Sequence, residues 1–75
     1  MTETKILIKS YGWQELAILY SPELIPRSAV KRLSRWVAFN PKLEQELIET
    51  GWYKGKKVLT PGQVAILFRY LGEPG

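Results

Sequence analysis

A chain of 75 residues with no cysteine and no histidine has neither disulfides nor zinc to staple it. Many domains below roughly 80 residues lean on such staples because their cores are small, so this one must fold by side-chain packing alone. The same absences remove thiol nucleophiles and imidazole general bases. Aspartate is missing too, so all seven acids are glutamates. No glycine-rich phosphate loop is present. This argues against an enzyme, a bound metal or a cofactor. With 45% hydrophobic and 24% charged residues, the chain reads as globular rather than disordered. One domain over residues 1–75 is expected, frayed at 1–4 and 73–75.

The elements follow from period and punctuation. Residues Lys5 to Lys9 read as one short strand, broken by Ser10, Tyr11 and Gly12. Trp13, Leu16, Ala17 and Tyr20 then recur at helical spacing, and Ser21 and Pro22 end that helix. Pro22 and Pro26 are expected to keep the next residues extended or turned. Ser28 is a good N-cap for a longer helix from Ala29 to about Phe39. On a wheel of about 100° per residue, Ala29, Val30, Leu33, Trp36 and Val37 share one arc of that helix, and Lys31, Arg32 and Arg35 occupy another. Asn40 and Pro41 suit the cap and first position of a third helix, with Leu43, Leu47 and Ile48 inward, Glu44, Glu46 and Glu49 outward, and Gly51 closing it. Trp52–Tyr53 and Val58–Leu59 flank Lys54 to Lys57 and read as a hairpin with a basic tip. Thr60 and Pro61 start a last helix, whose buried stripe is Val64, Leu67, Phe68 and Leu71.

Charge is unevenly spread. Arg27, Lys31, Arg32, Arg35 and Lys42 come with no acid between them, as do Lys54, Lys56 and Lys57. Those eight cations leave the rest of the chain with three cations against seven glutamates, although the total is only +4. A positive half suggests an anionic partner, with nucleic acid the first candidate. Lysine and arginine on the long helix fit phosphate contact, and arginine fits guanine recognition. A solvated helix face gives the same pattern, and lysines at a hairpin tip also keep its edges unpaired. Ser28 suits capping better than phosphate binding, and Ser34 reads as a bystander. The three glutamates of the third helix read as a solvated face, because acid–base chemistry needs carboxylates in a cleft. The tryptophans are expected in the core, with Trp52 and Tyr53 also able to stack on a base. Tyr11 and Phe39 fit no buried face, and Phe39 falls among the basic residues. No apolar run approaches the roughly 20 residues of a membrane span, so a cytoplasmic protein without a signal peptide or membrane partner is expected.

A short helix, a turn, a basic amphipathic helix and a basic hairpin together make a winged helix-turn-helix, a mainly α single domain with a small β-hairpin. Two passages resemble the DNA-binding domain of MerR-type regulators and excisionase-like proteins. These are Glu15-Leu16-Ala17 with the apolar pair after it, and the run from Gly51 to Val64 leading from the wing into a helix. Three departures stand beside this. The turn from Ser21 to Arg27 is long, an acidic helix precedes the wing, and the regulators' coiled coil is not expected after Gly75.

Nearly the whole chain is also similar to an uncharacterised family of short proteins from gut Bacteroidales, a domain of unknown function. The shared residues are Lys9 to Gly12 with Trp13, Glu15, Leu16 and Ala17, then Arg32, Leu33, Arg35 and Trp36, then Tyr70 to Pro74. That resemblance implies no activity.

The expectation is a small, non-catalytic module for double-stranded DNA, accessory, architectural or regulatory in role. Arg27, Ser28, Lys31, Arg32 and Arg35 would act from the helix and Lys54, Lys56 and Lys57 from the tip, with a second copy or a protein partner supplying affinity. No small-molecule substrate is expected. The alternative is a protein–protein adaptor whose oppositely charged faces dock a partner without nucleic acid.

Overall fold

Prolines and caps set where the helices begin. The computed structural model describes residues 8–74 and holds four helices and one two-stranded antiparallel sheet. In chain order these are β1 (Tyr11–Gly12), α1 (Trp13–Tyr20), α2 (Pro26–Ala38), α3 (Pro41–Glu49), β2 (Val58–Leu59) and α4 (Pro61–Leu71). In α3 the side chain of Asn40 accepts from the Leu43 amide at 3.3 Å, with Pro41 in the first turn. In α4 Thr60 accepts from the Gln63 amide, while the Gln63 side chain takes the Thr60 amide at 3.0 Å, a full capping box.

Helix α2 begins earlier than its serine suggests. Its N-cap is Ile25, followed by Pro26, and Ser28 lies inside the first turn rather than capping it. The fixed φ of proline suits the first helical position, where its missing N–H costs nothing. The link to α1 therefore shortens to Ser21–Ile25, closed by the Leu24 amide on the Ser21 carbonyl at 3.1 Å.

The sheet corrects the expected hairpin. Val58–Leu59 does form a strand, but its partner is β1, with Tyr11 opposite Leu59 and Gly12 opposite Val58. Trp52 and Tyr53 belong to no strand. Tyr11 and Gly12, read from the sequence as a break, are thus the strand itself. Of the strand expected at Lys5–Lys9, residues 5–7 lie outside the described residues, and Ile8 and Lys9 are exposed and irregular. The Ser10 hydroxyl donates to the Leu59 carbonyl and the Trp13 amide to the Lys57 carbonyl, each at 2.8 Å, extending the join at both ends.

Two adjoining clusters form the core. Leu16, Val37, Leu43, Leu47, Leu59, Val64, Leu67 and Phe68 pack together with Tyr11 and Trp52. Ala17, Ala29 and Leu33 close α1 on α2. Tyr11 is therefore a core residue. Ile48, expected inward, is 53% exposed, because Leu43 and Leu47 alone define the buried edge of so short a helix. Phe39 remains outside, 76% exposed. Near the C-terminus Glu73 is exposed and Pro74 buried; residues 1–4 and 75 lie outside the described residues. Among the described residues no helix is long and apolar enough to cross a membrane.

Candidate functional site

The cations of α2 divide between two sides of the helix. Arg27, Lys31 and Arg35 are exposed. Arg32 is half-buried, and one of its guanidinium nitrogens donates to Glu23 at 3.0 Å and to the Ser21 hydroxyl at 3.2 Å. The same guanidinium lies 5.9 Å from the centroid of the Trp36 ring, which meets Tyr20 edge-on. Arg32 thus clasps the α1–α2 turn. Ser28 is half-buried in the first turn of α2.

The second basic stretch is a tight turn. The Lys56 amide donates to the Tyr53 carbonyl at 3.0 Å, and Gly55 takes a φ of +95°. That is the position and sign at which a type II turn favours glycine. Lys54 and Lys57 are exposed, whereas Lys56 donates its ammonium to the Val58 carbonyl at 2.6 Å. The turn is anchored at its far end by β2 and by the bond from Trp13 to Lys57.

Between this turn and α2 lies a cleft of about 440 Å³. Val30, Ser34, Val37 and Ala38 of α2 line it on one side and residues 54–57 on another, with Trp13, Gln14, Glu44 and Trp52 completing it. The Trp13 and Trp52 rings are 5.8 Å apart and tilted by 38°. Trp52 is 6% exposed, and its indole N–H is buried with no acceptor. On the helical wheel Arg27 and Lys31 fall within about 20° of Ala38, Arg35 about 60° away and Arg32 about 120° away. Arg27 and Lys31 therefore lie beside the Ala38 edge of the cleft-facing stripe and Arg32 lies away from it, and none of the four cations lines the cleft.

The acidic residues of α3 scatter. Glu46 is bound by Arg69 and by the Tyr70 hydroxyl. The Tyr70 pKa is raised, first because its proton is held by that carboxylate and then by burial. Glu49 accepts from Gln45, and Glu44 faces the cleft. Among the described residues no group of three acidic side chains is placed to hold a metal.

Several cleft residues escaped the sequence reading. Ser34 passed as a bystander, Glu44 as part of a solvated face and Trp13 as plain core. The available signal was the spacing of Val30, Ser34 and Ala38, which puts small side chains on one stripe beside the cations.

The fold and site define a small, mainly helical domain with a cation-bordered, tryptophan-lined cleft. Residues 7–74 match a family described as Domain of unknown function (DUF4248), and the chain belongs to that family. No curated protein and no solved structure matches it.

Proposed function

We propose that this chain is a non-catalytic DNA-binding module of helix-turn-helix type. In this reading α2 enters the major groove, with Arg27, Lys31 and Arg35 toward phosphates and base edges. Lys54 and Lys57 meet the flanking backbone from the basic turn, which takes the place of a two-stranded wing. One observation carries the reading. The two acid-free basic stretches, well separated in sequence, belong largely to two elements that flank one cleft, α2 and the turn at residues 54–57, which supports reading them as parts of one electrostatic footprint. The resemblance to MerR-type and excisionase-like domains favours an accessory, architectural or regulatory role. So few phosphate contacts call for a second copy or a protein partner.

The test is fluorescence anisotropy of a labelled mixed-sequence duplex, titrated from low to physiological salt. Micromolar binding is expected, weakening linearly on log–log axes as counterions are released. Lys31→Ala with Arg35→Ala should flatten the slope by about two, with folding stability unchanged. Arg32→Ala serves as a contrast, since it acts on the α1–α2 turn. Absence of binding at low salt would overturn the reading.

A protein–protein adaptor is favoured by a different observation: Phe39 at the end of α2, together with Tyr53 and Val58, is exposed. That reading expects salt-sensitive association in light scattering, lost in Phe39→Ser. A salt-independent monomer would count against self-association.

A further inference from the structure

The cleft has features that duplex binding leaves unused. A duplex presents its charge along a line to a convex surface, whereas this is a recess of about 440 Å³. Its volume falls in the range of about 300–1,000 Å³ typical of small-ligand sites. Its aromatic wall is Trp13, half-buried, with Trp52 behind it. The cations at its edge lack counter-charges: among the described residues no carboxylate pairs with Lys54, Lys56 or Lys57. Three ammonium groups on one short turn repel one another until an anion joins them. Glu44 is the one carboxylate in the lining, so a negative group must sit at the lysine end. The buried indole N–H of Trp52 is a further polar group without a partner.

We infer that this cleft binds a single nucleotide. The base packs on Trp13, with Trp52 as the floor, and the phosphate lies against Lys54 and Lys57. Ser34 and Gln14 supply a hydroxyl and an amide for the sugar or the base edge. A phosphate monoester carries about −1.5 to −2 at neutral pH, which suits the two exposed cations Lys54 and Lys57 better than a carboxylate does. Stacking on an aromatic side chain tolerates any base. The inference rests on the cleft and stands whether or not α2 binds a duplex.

The test titrates the full chain with cytidine 5′-monophosphate, an unpaired oligodeoxycytidylate and inorganic phosphate, following tryptophan fluorescence at low salt. Saturable quenching by a nucleotide probe, and none by phosphate, is expected. Quenching by the mononucleotide assigns the site to free nucleotides; quenching by the oligomer alone assigns it to an unpaired base of a strand. Lys54→Glu with Lys57→Glu changes two exposed residues and should weaken binding at least about ten-fold, with urea denaturation confirming the fold. Lys31→Ala with Arg35→Ala should leave mononucleotide affinity within about two-fold, which separates this site from duplex docking. Quenching by neither nucleotide, equal quenching by phosphate, or unchanged affinity in the double glutamate variant would overturn the inference.

Discussion

Gln63 ties two helices together, and its removal should cost this domain a large share of its stability. The side chain is 1% exposed. Its oxygen accepts from the Thr60 amide at 3.0 Å. Its nitrogen donates to the Thr50 carbonyl at 3.2 Å and to the Thr50 hydroxyl at 3.1 Å. The start of α4 is thus bolted to the end of α3. Each such bond contributes about 0.5–1.5 kcal/mol net, so Gln63→Met, which keeps most of the volume, should cost about 2–3 kcal/mol. Gln63→Ala also loses buried methylene surface, at about 0.8 kcal/mol per group, and should cost about 3–4 kcal/mol. A domain of this size holds only about 4–11 kcal/mol in all. Gln63→Glu is diagnostic in another way. A carboxylate keeps the Thr60 bond but repels the Thr50 carbonyl, whereas the protonated acid can donate to it. The folded state then favours the neutral form, raising the pKa above the ordinary glutamate value. The neutral acid's stabilisation is present in acid and lost as pH rises through the raised pKa. Urea denaturation followed by tryptophan fluorescence measures all three variants, and a cycle with Thr50→Val isolates the coupling. If Gln63→Met stays within about 0.5 kcal/mol of the parent, the bonds carry no weight and the reasoning fails.

Further expectations are local. The Tyr20 hydroxyl donates to the Gly72 carbonyl, and its pKa is pushed from 10.0 up to about 12, by burial first and by Glu73 second. Its neutral form is favoured in the fold, so its contribution is intact below pH 10.0 and lost as pH rises toward about 12. Denaturation midpoints across that window should fall more steeply in the parent than in Tyr20→Phe; parallel curves would refute the assignment. Gly55→Ala meets no neighbouring atom but must hold a φ of +95°, so a cost of about 1–2 kcal/mol from backbone strain alone is expected. A neutral result in thermal denaturation would show that the turn relaxes into another form.

The chemistry needed to start and stop helices lies within a few residues, which is why α1, α3 and α4 are legible in the sequence. Asn40 and Pro41, or Thr60 and Pro61, act on the turn immediately after them whatever the rest of the chain does. The same locality misplaced the start of α2: Ser28 reads as the cap and Pro26 as part of an extended link, whereas Pro26 takes the first helical position. The T-x-x-Q signature of Gln63 was also present in the sequence, but its bridge to Thr50 was not. Charge asymmetry was readable by counting, yet the wheel alone grouped Arg32 with Lys31 and Arg35. Only the packed turn below α1 draws it to Glu23 and Ser21.

Strand pairing and the cleft belong to tertiary structure alone. Two-residue strands carry almost no period of their own, so Val58–Leu59 suited Trp52–Tyr53 as a partner as well as Tyr11–Gly12. The choice fell to packing: Tyr11 and Trp52 both enter the core, and the lysine turn is carried across to α1. That crossing opens the recess between the turn and α2. By itself the sequence determined where helices form and how much charge the chain carries, because those depend on neighbours a few residues away. The fold decided that the lysine turn lies across a tryptophan-lined cleft from α2, because that depends on contacts between residues distant along the chain.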